Sequence, residues 1–246
     1  RAPRATTIPV ETPAAEPPKT GIIAVTMPRR PGTVTKRADL AGAHSLNEPG
    51  QPGRKGVTPQ DLVAELAKIV DWLAVDDPGH KRYQPRSGLT FCNIYAHDYC
   101  HLAGVFLPRV WWTQRAATDL ALGKTVQPLI ENTITEVRAN NLFRWLREFG
   151  ADFGWRQTGT LNKLQDAANQ GAVGLIIARR KQDGRSGHVT MVVPETSGHL
   201  ARRNAAGEVT APLQSQAGTV NFRFRTGNAN WWLGDQFAES AFWIHG

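Results

Sequence analysis

The sequence predicts an α+β domain, with helices first and a small antiparallel sheet after them. Three observations carry this reading. Apolar residues recur at helical spacing in the first half of the folded region, as in Leu62, Leu66, Ile69 and Leu73. Short β-branched runs, VGLIIA and HVTMVV, follow in the second half and are separated by the turn KQDGRSG. Composition changes sharply near residue 57: ten of the sixteen prolines lie in residues 1–60, and all eight tryptophans lie beyond residue 71.

The elements follow in order. Thr58 as N-cap, Pro59 at the first helical position and Asp61 in the first turn mark a helix start, and the helix runs to about Ala74. DDPGHKRYQPRSG is a loop. A second helix is expected from Phe91 to Ala103, with Thr90 as N-cap and Gly104 as its stop. Thr133 and Glu136 have the spacing of a capping box for a third helix ending at Gly150. A shorter fourth helix spans Leu161 to Asn169. Val173–Ala178 and His188–Val193 then read as an antiparallel pair, with further strands at Val209–Leu213 and Val220–Phe224.

Residues 1–56 are Pro-rich and basic, and read as an extended linker or arm. The alternative is a strap that packs on the domain through Ile22, Ile23 and Val25. Residues 57–246 form the folded domain. The net charge is +8. Nine Lys/Arg against four Asp/Glu fall in residues 1–56, and twenty against seventeen in the rest. Most of the basicity thus belongs to the arm, which suits attraction to a polyanion without specifying DNA. No zinc-finger spacing or recognition-helix signature is present, so no nucleic-acid partner is expected. No run approaches the roughly 20 apolar residues of a membrane span. The chain opens on Arg1 without an initiator Met or signal-peptide pattern, and reads as a processed or excised piece of something longer.

Cys92 and Cys100 are the two cysteines. Eight residues apart on one helix, they are separated by roughly 12 Å along its axis. A disulfide needs Cα atoms within about 7 Å, so they do not pair. Cys92 falls in the first turn, where free backbone N–H groups and the helix dipole favour a thiolate over a thiol; Cys100 is mid-helix and lacks that field. A buried, inert hydrophobe is the bland alternative for Cys92. His188 sharpens the choice, because it opens a strand after a Gly-containing turn and can present its ring to a thiolate on a neighbouring helix.

A helix-start Cys followed by Asn, with a Gly-His pair opening a much later strand, resembles the NlpC-like and CHAP amidase/peptidases. CNIYAHDYCHLAGVFLPR is similar to their nucleophile helix and GHVTMVVPE to their His strand, and the resemblance covers residues 85–225. It implies a compact papain-like fold, with Cys92 as nucleophile, His188 as base and peptidoglycan amide bonds as substrate. In CHAP enzymes the residue that orients the His is an acid on the following strand, with Asn two positions later; here the matching pair is Gln214 and Gln216, a departure. Glu195, at the end of the His strand, is the charged alternative, although strand alternation points it away from His188. Both options stand open. Oxyanion stabilisation would come from the Cys92 backbone N–H and a nearby polar group, with Asn93 and Tyr83 as candidates.

His97, Asp98 and His101 form an HDxxH pattern, but no third metal ligand is evident and structural roles are expected. Trp111–Trp112 and Trp231–Trp232 could stack on sugar rings, with buried packing as the alternative. The leading expectation is a cell-wall amidase or endopeptidase: an antibacterial effector or lysin domain acting in the bacterial periplasm on a peptidoglycan stem peptide or crosslink. It would need no metal or organic cofactor, and the effector reading admits an immunity protein as partner. The alternatives are a papain-like toxin acting on a protein substrate and a non-catalytic glycan-binding module.

Overall fold

The computed structural model describes residues 23–28, 35–42 and 44–246. The linker reading of residues 1–22, and Ile22 of the apolar patch, lie outside the described residues. In chain order the elements are α1 (Pro59–Leu73), α2 (Cys92–Leu102), β1 (Val110–Trp112), α3 (Gln114–Ala121), β2 (Ile134–Glu136) and α4 (Ala139–Phe149). They continue with β3 (Arg156–Thr158), α5 (Leu161–Asn169), β4 (Val173–Arg180), β5 (His188–Val192), β6 (Arg202–Arg203) and β7 (Val209–Ala211). The last three are β8 (Gln214–Gln216), β9 (Phe222–Arg225) and β10 (Phe237–His245). The class is α+β. Six strands form one antiparallel sheet in the order β3-β10-β4-β5-β8-β9.

Both faces of this sheet are covered. Leu175, Ile177, Val189 and Met191 belong to a core shared with Leu66 and Leu73 of α1, Tyr95 and Tyr99 of α2, and Leu142 and Leu146 of α4. Ile176, Ala178 and Val192 meet Leu164 and Ala168 of α5, with Trp232, in a second core. Strand alternation sends neighbouring residues to opposite faces, so a strand covered on both sides reads as the unbroken apolar run VGLIIA. The Trp-rich C-terminus is part of this frame: β10 lies between β3 and β4, and Trp243 is buried in the first core.

Local signals and tertiary contacts agree at some helix starts and conflict at others. The Thr58 hydroxyl accepts from the Asp61 N–H, and Thr160 caps α5 by accepting from Lys163 N–H. Thr90 does not cap α2; its N-cap is Phe91, with no side-chain cap bond. The expected capping box also fails. Thr133 bonds within its own loop, accepting from Leu129 N–H, and Glu136 is paired with the buried guanidinium of Arg109. Residues 134–136 are instead strand β2, paired with β1, and the helix begins only after Arg138. Burying Arg109 without a carboxylate would cost several kcal/mol, more than the ~1 kcal/mol of a helix cap.

The described part of the arm packs as a strap rather than trailing as a linker. Val25 and Met27 are buried against Val110 and Ile134. The Trp112 Nε1–H donates to the Ile23 carbonyl, and Leu46 enters the main core. Arg54 donates to the carbonyls of Ala103 and Gly171, tying the strap to the ends of α2 and α5.

Candidate active site

Cys92 is the first residue of α2 and is buried, at 5% exposure. Because no Thr90 hydroxyl claims the first-turn N–H groups, the Asn93 N–H is free to bond the Cys92 sulfur, and the Val189 N–H of β5 does the same. The His188 side chain completes the set. Burial alone pushes the thiol up, yet the His188 hydrogen bond and charge, with the two N–H groups, hold it below its ordinary value. Burial pushes His188 down, and the hydrogen bond and charge of Cys92, with a bond to Gln216, raise it above its ordinary value. The two shifts favour the same state, a thiolate beside an imidazolium.

His188 sits where it does because its turn is clamped. Asn140, from α4, donates to the Arg185 carbonyl and accepts from the Arg180 N–H, closing the mouth of the β4–β5 hairpin. A Cβ on Gly187 would come within 2.4 Å of the Ala178 carbonyl oxygen and 2.6 Å of Asn140 Oδ1, so only glycine fits this approach. His188 follows directly, at the first position of β5, beside the N-terminus of α2.

The ring is oriented by Gln216. His188 Nε2 is 2.7 Å from Gln216 Oε1, an acceptor, so Nε2 carries a proton and Nδ1 is left for the sulfur. The amide cannot easily reverse, because its nitrogen donates to the Val220 carbonyl. Gly218 allows this closeness: a Cβ there would lie 2.8 Å from the Gln216 amide nitrogen and 3.4 Å from His188 Cε1. Trp231 stands edge-on to His188 at 4.9 Å between ring centroids.

The sequence left two options for the orienting residue, and the structure corrects both in part. Gln214 is not the partner of His188. It accepts from Trp231 Nε1 and Thr190 Oγ1, and so holds the indole that packs on His188. The β5–β8 register explains the division: Val192 lies opposite Gln214, which puts Gln216 nearer the start of β5. Glu195 is further away in function. Its carboxylate is held to about 2 by Arg203 first, then by Asn169 and the Ala201 N–H, all outside the site. It anchors the chain beyond β5 to α5. Neither oxyanion candidate faces the sulfur either. Asn93 donates to the Val137 carbonyl, and the Tyr83 hydroxyl donates to Asp98 in a fully buried group with Arg82. The Cys92 N–H, first in its helix and without an intrahelical acceptor, remains.

The other candidates have structural surroundings. His97 Nδ1 bonds the Leu107 carbonyl, and burial lowers the ring's pKa to about 4. Among the described residues no three His, Cys, Asp or Glu side chains gather as a metal site. Trp111 is packed among Phe106, Trp145, Phe149 and Phe153, and Trp232 is buried, while Trp112 and Trp231 are half-buried. Cys100 is free and buried like Cys92, but burial pushes its thiol well above the ordinary value.

A cleft of about 1130 Å³ opens on His188, Gln216 and Trp231, with Thr90 and Gly88 on its rim. The site therefore holds a thiol, an imidazole and an amide in series, with the imidazole and the amide at the edge of a cleft large enough for a peptide. No known family model matches the chain, and no curated protein matches it. No helix among the described residues is long and apolar enough to cross a membrane.

Proposed function

We propose that this protein is a papain-like cysteine hydrolase that cleaves an amide bond, with peptidoglycan as its substrate. The observation that carries the proposal is the Cys92–His188–Gln216 hydrogen-bonded series, in which the sulfur sits at a helix N-terminus and the His faces a cleft. Papain-like hydrolysis calls for this order of groups: thiolate, imidazolium, neutral amide.

In the proposed reaction the Cys92 thiolate attacks the amide carbonyl carbon, forming a C–S bond as the carbonyl oxygen takes up negative charge. The Cys92 backbone N–H and the α2 dipole stabilise that oxygen. His188 then gives its Nδ1 proton to the departing amine as the C–N bond breaks. Water, deprotonated by His188, attacks the thioester and releases the acid and the thiolate. Gln216 keeps the imidazole in the tautomer this cycle needs. The cell-wall substrate rests on the likeness of the Cys helix and His strand to NlpC-like and CHAP enzymes.

The test is digestion of purified peptidoglycan by the wild type and by Cys92→Ala, with products read by mass spectrometry. New fragments from the wild type alone support the proposal, and their masses name the bond. Cleavage that survives Cys92→Ala overturns the nucleophile. Inert sacculi, together with cleavage of a protein substrate, would move the enzyme to the toxin reading.

A further inference from the structure

Three arginines border the cleft. Arg180 ends β4 and Arg185 lies in the turn before His188, on one side of β5. Arg225 ends β9, two strands away on the other side. No carboxylate is among the residues that line the cleft. Arg180 donates through Nε to the Ser186 carbonyl and lies over the Phe237 ring. Arg225 lies over the Phe222 ring, and the side chains of Arg185 and Arg225 are exposed.

Several arginines outside the cleft are paired with carboxylates. Arg179, next to Arg180 but pointing to the opposite face of the strand, is paired with Glu239, which also pairs with Arg147. Arg144 is paired with Asp183 and Arg203 with Glu195. Three arginines thus border a cleft whose lining, among the described residues, holds no carboxylate, although residues 57–246 carry only three more cations than anions. Guanidinium groups bind carboxylates in a planar, two-point fashion, and a cleft of one sign raises the local concentration of the opposite charge.

We infer that the cleft selects a peptide bearing a free carboxylate close to the scissile amide, bound by Arg180, Arg185 and Arg225. This rests on the proposed role of Cys92, and the test separates the two. The rates at which iodoacetate and iodoacetamide alkylate Cys92 are measured by mass spectrometry at low salt. The reagents share a size and differ in charge. The variants are the doubly exposed Arg185→Gln/Arg225→Gln and, as a control outside the cleft, Arg144→Gln.

The iodoacetate-to-iodoacetamide ratio is expected to fall roughly threefold or more in the double variant, and to fall with added salt in the wild type. Arg144→Gln is expected to keep the wild-type ratio. An equal ratio in the wild type and the double variant overturns the inference while leaving the nucleophile intact. If neither reagent modifies Cys92, the nucleophile reading falls and the inference falls with it.

Discussion

At the N-terminal end of α2, Cys92 meets two backbone N–H groups and an imidazole, and its thiol is held down. Eight residues on, in the same helix, Cys100 is packed in the main core, and burial pushes its thiol up despite the charge of Arg54. Both side chains are buried and both cysteines are free, so burial does not separate them. What separates them is whether the buried sulfur has hydrogen-bond donors aimed at it: Cys92 has His188 and two backbone N–H groups, while Cys100 feels the Arg54 charge without a hydrogen bond. A helix provides unpaired N–H groups only in its first turn, and a neighbouring strand must bring the cation there.

The sharpest way to break this comparison is to remove each thiol. Cys92→Ala is expected to lower peptidoglycan hydrolysis by at least about a thousandfold, as for other residues that act as one catalytic unit. Cys100→Ala is expected to retain activity and to lose about 1–2 kcal/mol of stability through its small cavity, read by denaturant melting.

Next in size is the rigid half of the helix. Asp98 is 1% exposed and holds Arg82 and the Tyr83 hydroxyl, while Arg82 also donates to the His44 carbonyl of the strap. Asp98→Ala leaves a buried guanidinium without its partner and is expected to cost about 3–5 kcal/mol in thermal or denaturant unfolding. A loss below 1 kcal/mol would mean that the ion pair contributes little to holding α2.

Gln216→Ala tests the reactive half. It removes one of the contacts that raise His188, so the alkaline limb of the pH–rate profile should move to lower pH. A fall of roughly 10–100-fold in kcat is expected to accompany it. The pH profile itself distinguishes the two thiols. Cys92 lies below its ordinary value, so its thiolate persists to lower pH than that of a free cysteine and is lost as pH falls through that lowered value. His188 lies above its ordinary value, so the proton needed by the leaving amine is retained to higher pH than in a free imidazole and lost as pH rises through the raised value. Iodoacetamide should therefore label Cys92 at lower pH than it labels a free thiol, while Cys100 labels only once the fold is opened. Equal labelling of both would erase the distinction.

The smallest effect belongs to Glu195. Glu195→Gln is expected to leave hydrolysis intact and to cost about 1 kcal/mol of stability near neutral pH. Its carboxylate is depressed from 4.5 to about 2, so its contribution is present above the unfolded value and is lost as pH falls through the folded one. Acid unfolding curves of variant and wild type should thus converge near the bottom of that range. A large loss of hydrolysis in Glu195→Gln would restore it as the residue that orients His188.

By itself the sequence determined the α+β class, the α1 start at Thr58, the span of α5, the β4–β5 hairpin, and the pairing of Cys92 with His188 as candidates. Each depends on contacts close in the chain: a hydroxyl three residues before an N–H, alternation along a strand, a glycine in a turn. The tertiary structure alone decided the rest. Residues 134–136 became a strand because Glu136 is drawn to Arg109, and the C-terminal Phe237–His245 entered the middle of the sheet. Gln216 rather than Gln214 or Glu195 reached His188 because the β5–β8 register and the Asn140 clamp set which side chain arrives at the start of β5. Those choices compare residues far apart in sequence, whose energies depend on burial and register. No local pattern in the chain encodes either quantity.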